Sequence, residues 1–160
     1  MAGVRAVPEF FHTVNMYLVV PNAREAMAFY EKAFSATSVF TMTGPGDSVM
    51  HAELRIGDST VMLSDENPQW EMKSALTLGG SPVSMHLYVE DVDAVFAQAI
   101  ESGCKEVAPL MDAFWGDRFG KVVDPFGFQW GIATHVEDVE PEEMERRQKE
   151  WMASMSEGGC

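Results

Sequence analysis

A fixed step of 69 residues runs through the chain. Met16 and Met85, Leu18 and Leu87, Val20 and Val89, Asn22 and Asp91, and Asp58 and Gly127 are all separated by it. A step that returns the same apolar positions and the same helix cap marks an internal duplication, so one supersecondary unit occurs twice. In the first copy Val14, Met16, Leu18 and Val20 alternate with Thr13, Asn15, Tyr17 and Val19, a strand with one apolar and one mixed face. Asn22 with Glu25 forms a capping box, and Ala23, Ala26, Met27, Tyr30, Ala33 and Phe34 make the apolar stripe of the helix that follows. Strands are predicted over 38–43, 48–56 and 60–64, the last two joined by a tight turn at Gly57-Asp58.

In the second copy Met85, Leu87 and Val89 alternate with Ser84, His86 and Tyr88. Asp91 caps a helix striped by Val92, Val95, Phe96, Ala99 and Ile100, and Gly103 ends it. A strand near 106–110 precedes a hairpin across 115–135 that turns at Asp124-Pro125-Phe126-Gly127. In its second arm Phe128, Trp130 and Ile132 alternate with the smaller Gln129, Gly131 and Ala133. The pattern predicts an α+β chain: an N-terminal tail (1–11), a βαβββ module (12–67), a linker with Pro68, Gly79, Gly80 and Ser81 (68–82), a second module (83–136), and a C-terminal helix and tail (137–160). Two such sheets, each with a helix on its apolar face, are expected to join edge to edge into one curved mixed sheet whose open faces line a cup.

Pro141 suits the first turn of the last helix. Glu142 with Arg146 and Glu143 with Arg147 are spaced to pair, and Met144, Trp151 and Met155 form a thin stripe for the body or for a second subunit. A plain solubilising cap fits that helix equally.

The formal charge of -14 argues against a nucleic-acid or anionic-membrane partner. No apolar run reaches the roughly 18 residues of a membrane span, and MAGVRAVPEF lacks a signal peptide's apolar segment. Cys104 and Cys160 imply no disulfide framework, so the chain reads as cytoplasmic.

The paired modules, the helix MAFYEKAF, the hairpin HAELRIGDSTVMLSDENP and the segment GDRFGKVVDPFGFQW resemble the vicinal oxygen chelate superfamily, which holds glyoxalase I, bleomycin-resistance proteins and extradiol dioxygenases. The chain is most similar to its PhnB-like branch, over about 12–147, including EEMERR after the last strand. The resemblance implies a homodimer whose modules pair within or across subunits. It also implies a divalent metal held by one side chain from the first and one from the last strand of each module. Those positions fall on Asn15, Met62, Ser84 and Gly131. A thioether, two neutral oxygens and a glycine are poor partners for Zn²⁺, Ni²⁺ or Fe²⁺, so no cofactor is expected.

Other residues carry candidate chemistry. His86 shares the face of Ser84 and could act as general base or ligand contact, although a lone strand histidine is more often a hydrogen-bonded lining. His51 and Glu53 share a strand face and could form a displaced metal site with His86. Arg118, on a rim loop with Trp115, Asp117 and Phe119, either takes a ligand's carboxylate or phosphate or pairs with Asp117. Tyr17, Met62, Tyr88 and Trp115 supply walls, and Ser64 and Gln129 lie on the same faces. The first expectation is a metal-free cup that binds an uncharged or weakly anionic organic molecule. The second is an enzyme: a lyase or isomerase using His86 or a displaced metal, or a dioxygenase-like member. The third is a structural or regulatory dimer without ligand.

Overall fold

The computed structural model describes residues 3–157; Cys160 lies outside them. Each copy of the repeat is a βαβββ module. The first comprises β1 (Met16–Val20), α1 (Ala23–Phe34), β2 (Thr37–Thr43), β3 (Val49–Ile56) and β4 (Ser59–Asp65). The second comprises β5 (Ser84–Tyr88), α3 (Val92–Ser102), β6 (Lys105–Asp112), β7 (Asp117–Val123) and β8 (Gln129–His135). The N-caps form, Asn22 accepting from the Glu25 amide and Asp91 from the Ala94 amide, but the return bond from the Glu25 side chain that would complete a capping box is absent among the described residues. The linker is more ordered than its glycines suggest. It holds a 3₁₀ turn over Pro68–Trp70, capped by Asn67, and a short helix α2 (Ala75–Leu78), capped by Ser74.

Each module forms a mixed four-stranded sheet, in the orders β1-β4-β3-β2 and β5-β8-β7-β6. The first and last strands of each module run parallel, with Met16 opposite Val61 and Met85 opposite Trp130, so the step of 69 holds there. It changes to 68 on β3 and β7, because Leu54 faces Val61 while Val122 faces Trp130. The turn into β8 is therefore one residue longer than its counterpart. Asp124 occupies the start of that turn, buried, and accepts from the Phe126 and Phe128 amides, each at 2.9 Å.

The modules unite through their helices. α1 and α3 lie side by side, and Gln98 of α3 donates to the Lys32 carbonyl of α1 at 2.7 Å. Tyr30 and Phe34 of α1 reach across to Trp130 of β8, with ring centroids 5.5 and 4.5 Å apart. Leu18, Val20, Leu54 and Leu63 thereby share one core with Val122, Trp130 and Ile132. The expected single sheet does not form. β1 and β5 are both outer strands, and no ladder joins them among the described residues. The shared helical core supplies the cohesion that an edge ladder would have given.

α4 (Pro141–Glu157) returns to the second module. Arg147 binds Glu143 as expected and also forks onto Glu137. Arg146 binds Glu143 and Glu150 rather than Glu142, because its guanidinium spans one turn in each direction. The Trp151 ring lies 5.5 Å from Phe114 of the β6–β7 loop, so the apolar stripe touches its own chain there, while Met155 stays exposed. No helix among the described residues is long and apolar enough to cross a membrane.

Candidate functional site

Alternation along β5 puts Met85 and Leu87 toward the helices and Ser84, His86 and Tyr88 on the open face. The seam between β1 and β5 leaves a hollow on each side. One, of about 330 Å³, has apolar walls from Met16, Val61, Met85, Leu87 and Trp130. Its polar groups come from Asp58 and Ser59 in the β3–β4 turn and from His86 and Tyr88. A groove beyond it shares Gly57 and Tyr88 and runs past Glu90 to His135. The other hollow, about 390 Å³, repeats the first through the duplication, with Tyr17 and Leu18 in place of His86 and Leu87 and Phe128 in place of Ser59.

His86 lies parallel to Phe119, with centroids 5.7 Å apart and an interplanar angle of 6°, and sits 4.8 Å from Tyr88. Its ring nitrogens enter no hydrogen bond among the described residues, and Nδ1 is turned toward Gly131. Gly131, its cross-strand neighbour, permits this stack. A methyl at Gly131 would stand 2.9 Å from Phe119 Cε2 and 3.0 Å from His86 Nδ1.

At the end of the groove four side chains meet. Asp117 is buried and accepts from the Tyr88 hydroxyl at 3.0 Å and the Trp115 indole at 2.9 Å through Oδ2. Through Oδ1 it holds His135 Nδ1 at 2.8 Å, and His135 Nε2 meets Asp138 at 3.1 Å. Desolvation pushes the Asp117 pKa up, but the hydrogen bonds from His135, Tyr88 and Trp115 outweigh it and keep the carboxyl below its ordinary range. The same carboxylate, with Asp138, raises the pKa of His135. Sequence reasoning missed the Asp117–His135 pair. Its one local signal is hairpin register, since Asp117 on β7 stands opposite His135 on β8.

The expected site residues are distributed between the sheets. His86 and Tyr88 line the first hollow, and Asn15 and Tyr17 the second. Met62 stands between Tyr17 and Glu53 on the open face of the first sheet. Ser64 is buried in a separate space of about 60 Å³ beside Trp70 and Met72, and its hydroxyl has no partner. Ser84 is exposed and faces Gln129 across the ladder. Trp115 is bound to Asp117. Arg118 joins neither Asp117 nor an open rim. It forks onto Asp93 at the start of α3 with two contacts of 2.7 Å and reaches Asp112 at 3.1 Å. Alternation explains this, because Arg118 takes the face opposite to Asp117.

The four positions of the implied metal do not fit an ion. The Asn15 amide is turned onto His12, accepting from its amide at 3.0 Å and donating to its carbonyl at 2.6 Å. At Gly131 the space for a ligating side chain is already filled by His86 and Phe119. The displaced set is incomplete as well. His51 meets Glu53 and Tyr17, each at 3.3 Å, while His86 is stacked on the other sheet. No group of three or more His, Cys, Asp or Glu positioned for a metal occurs among the described residues.

The comparisons agree with this architecture. The model of the Glyoxalase/Bleomycin resistance protein/Dioxygenase superfamily matches residues 10–132. An uncharacterized protein of Mycobacterium tuberculosis, Rv0887c, is 44% identical over 132 residues, which cover 81% of this chain and 78% of that one. The crystal structure of protein PA1353 from Pseudomonas aeruginosa superposes with a TM-score of 0.63 at 25% identity, over 79% of this chain and 99% of that one. A PhnB protein from Bacillus cereus superposes with a TM-score of 0.60 at 19% identity, over 77% and 99%, a likeness of fold alone.

Proposed function

The chain belongs to the Glyoxalase/Bleomycin resistance protein/Dioxygenase superfamily, and on that premise we propose that it binds a small organic molecule, without a metal, in the hollow along β5. The supporting observation is His86, placed on the wall of a cavity of about 330 Å³ with both ring nitrogens uncommitted. Cavities of roughly 300–1,000 Å³ with apolar walls and a few polar groups suit ligands of this kind. A general base is ordinarily oriented by a third group. His86 is held by ring stacking instead, which favours binding over catalysis.

The open faces expose Tyr17, Phe40, Met42 and Tyr88, consistent with a second copy of the chain covering them. Light scattering during gel filtration reads that state directly.

The metal-free reading is tested by metal analysis of the purified protein and by melting in the presence of Ni²⁺, Zn²⁺ and Mn²⁺. The expected result is no stoichiometric ion and an unchanged Tm. Native mass spectrometry then looks for a small organic molecule that is retained by the full chain and lost in His86→Ala. An ion held by two or more imidazoles would overturn the proposal.

A further inference from the structure

The hollow and the groove that continues it carry a one-sided chemistry. Asp58 stands on the wall of the hollow and Glu90 on that of the groove. Among the described residues no Lys or Arg lines either space, and the basic side chain that does line the groove, His135, is paired with Asp117 and Asp138. Tyr88 belongs to both spaces, and its proton is already given to Asp117, a carboxylate only 3% exposed. The phenol oxygen can therefore only accept from a ligand. Asp117 cannot take the proton and reverse this direction, because Trp115 and His135 also donate to it and stabilise its charge.

His135 is flanked by Asp117 and Asp138. The His12 ring lies 3.3 Å from the backbone carbonyl of Asp58. Lys121 lies on β7 opposite Gly131, two strands away from β5, and lines neither space. Beyond the polar end, Met16, Val61, Leu87 and Trp130 offer only hydrocarbon, sulfur and ring surface.

We infer that this cleft takes a compact apolar or aromatic molecule carrying a protonated amine, with the amine at the end where Tyr88, Asp58 and Glu90 lie. The inference rests on the binding role proposed above and names the class of ligand for it. It replaces the uncharged or weakly anionic ligand that the sequence suggests. Three interactions select the class. The acceptor oxygen of Tyr88 requires a donor, the two carboxylates favour positive charge, and the walls require an apolar body.

Three probes of one shape separate these requirements: tryptamine, tryptophol and indole-3-propionate, titrated calorimetrically into the full-length protein at pH 7 and low salt. Tryptamine is expected to bind at least about tenfold more tightly than indole-3-propionate, a difference of about 1.4 kcal/mol, with tryptophol between them. The gap should narrow on raising the salt, because exposed charges are screened. Asp58→Asn with Glu90→Gln should abolish the preference for the amine over the alcohol. Tyr88→Phe should weaken the two probes whose side chain ends in a donor, the amine and the alcohol, and leave the carboxylate unchanged. If all three probes bind equally, or the carboxylate binds best, the cleft stands as a receptor and the amine is wrong. If none binds at millimolar concentration and His86→Ala changes nothing, the receptor itself fails and the inference falls with it.

Discussion

The hydroxyl of Tyr30, on the helix of the first module, donates to the carboxylate of Asp124 in the last turn of the second at 2.7 Å. Both groups are buried, and the bond spans 94 residues of sequence. Burial pushes the Asp124 pKa up, opposed by donors on Trp130, Phe128, Tyr30 and Phe126. Tyr30→Phe removes one donor from a buried carboxylate and is expected to cost about 1–3 kcal/mol in urea unfolding at pH 7. Since the folded pKa is raised, ionised Asp124 penalises the fold at high pH, and the penalty fades as pH falls. The loss caused by Tyr30→Phe should therefore shrink on acidification. An equal loss at pH 4 and pH 7 would refute the assignment.

Asp117 and His135 give a stability window with two edges. The Asp117 pKa is depressed, so its contribution is present above the ordinary carboxylate pKa and lost as pH falls through the folded value. The His135 pKa is raised, so its contribution is full below the ordinary imidazole range and lost as pH rises through the folded value. Melting temperatures of the unmodified protein and His135→Gln should differ most near pH 5–6 and converge at alkaline pH, above the raised His135 pKa. Parallel pH profiles would sink the idea.

Gly131→Ala tests the stack beneath the hollow. The added methyl meets two rings at 2.9 and 3.0 Å. Overpacking of this kind costs about 1–3 kcal/mol. Adding His86→Ala opens one of the two contacts, so the double variant should recover part of the loss. Chemical denaturation of the four proteins in the cycle measures the coupling.

Removing residues 141–160 leaves Phe114 without Trp151 and Glu137 without Arg147. These contacts are partly exposed, so the global stability loss should stay at about 1 kcal/mol. Deuterium uptake is expected to rise across the Phe114–Gly116 loop. Unchanged uptake there would mean that α4 does not hold the loop in solution.

The strands, caps and helix stripes were legible because each signal is local. The alternation of Ser84, His86 and Tyr88 and the caps at Asn22 and Asp91 need only a few neighbours. Contacts between distant segments were not legible. Arg118 sits beside Asp117 in sequence, yet the pleat sends the two to opposite faces, and its partner Asp93 lies 25 residues away. Asp117 gathers Tyr88 from β5, Trp115 from a loop and His135 from β8, a convergence that no spacing encodes. Asn15 was read as part of the first strand, but β1 begins at Met16 and the Asn15 side chain turns back onto His12, a contact of the N-terminal segment that alternation does not encode. The change of step from 69 to 68 was hidden because Asp58 and Gly127 keep the longer spacing across the very turn that contains the extra residue.

That single inserted residue makes the two halves of the gene product non-interchangeable. A tandem of two first halves would place Arg55 and its short bend where the second half carries Val123 and the Asp124 turn. Each half could still close its own sheet, but the phenol of the first helix would face hydrocarbon with nothing to receive its proton.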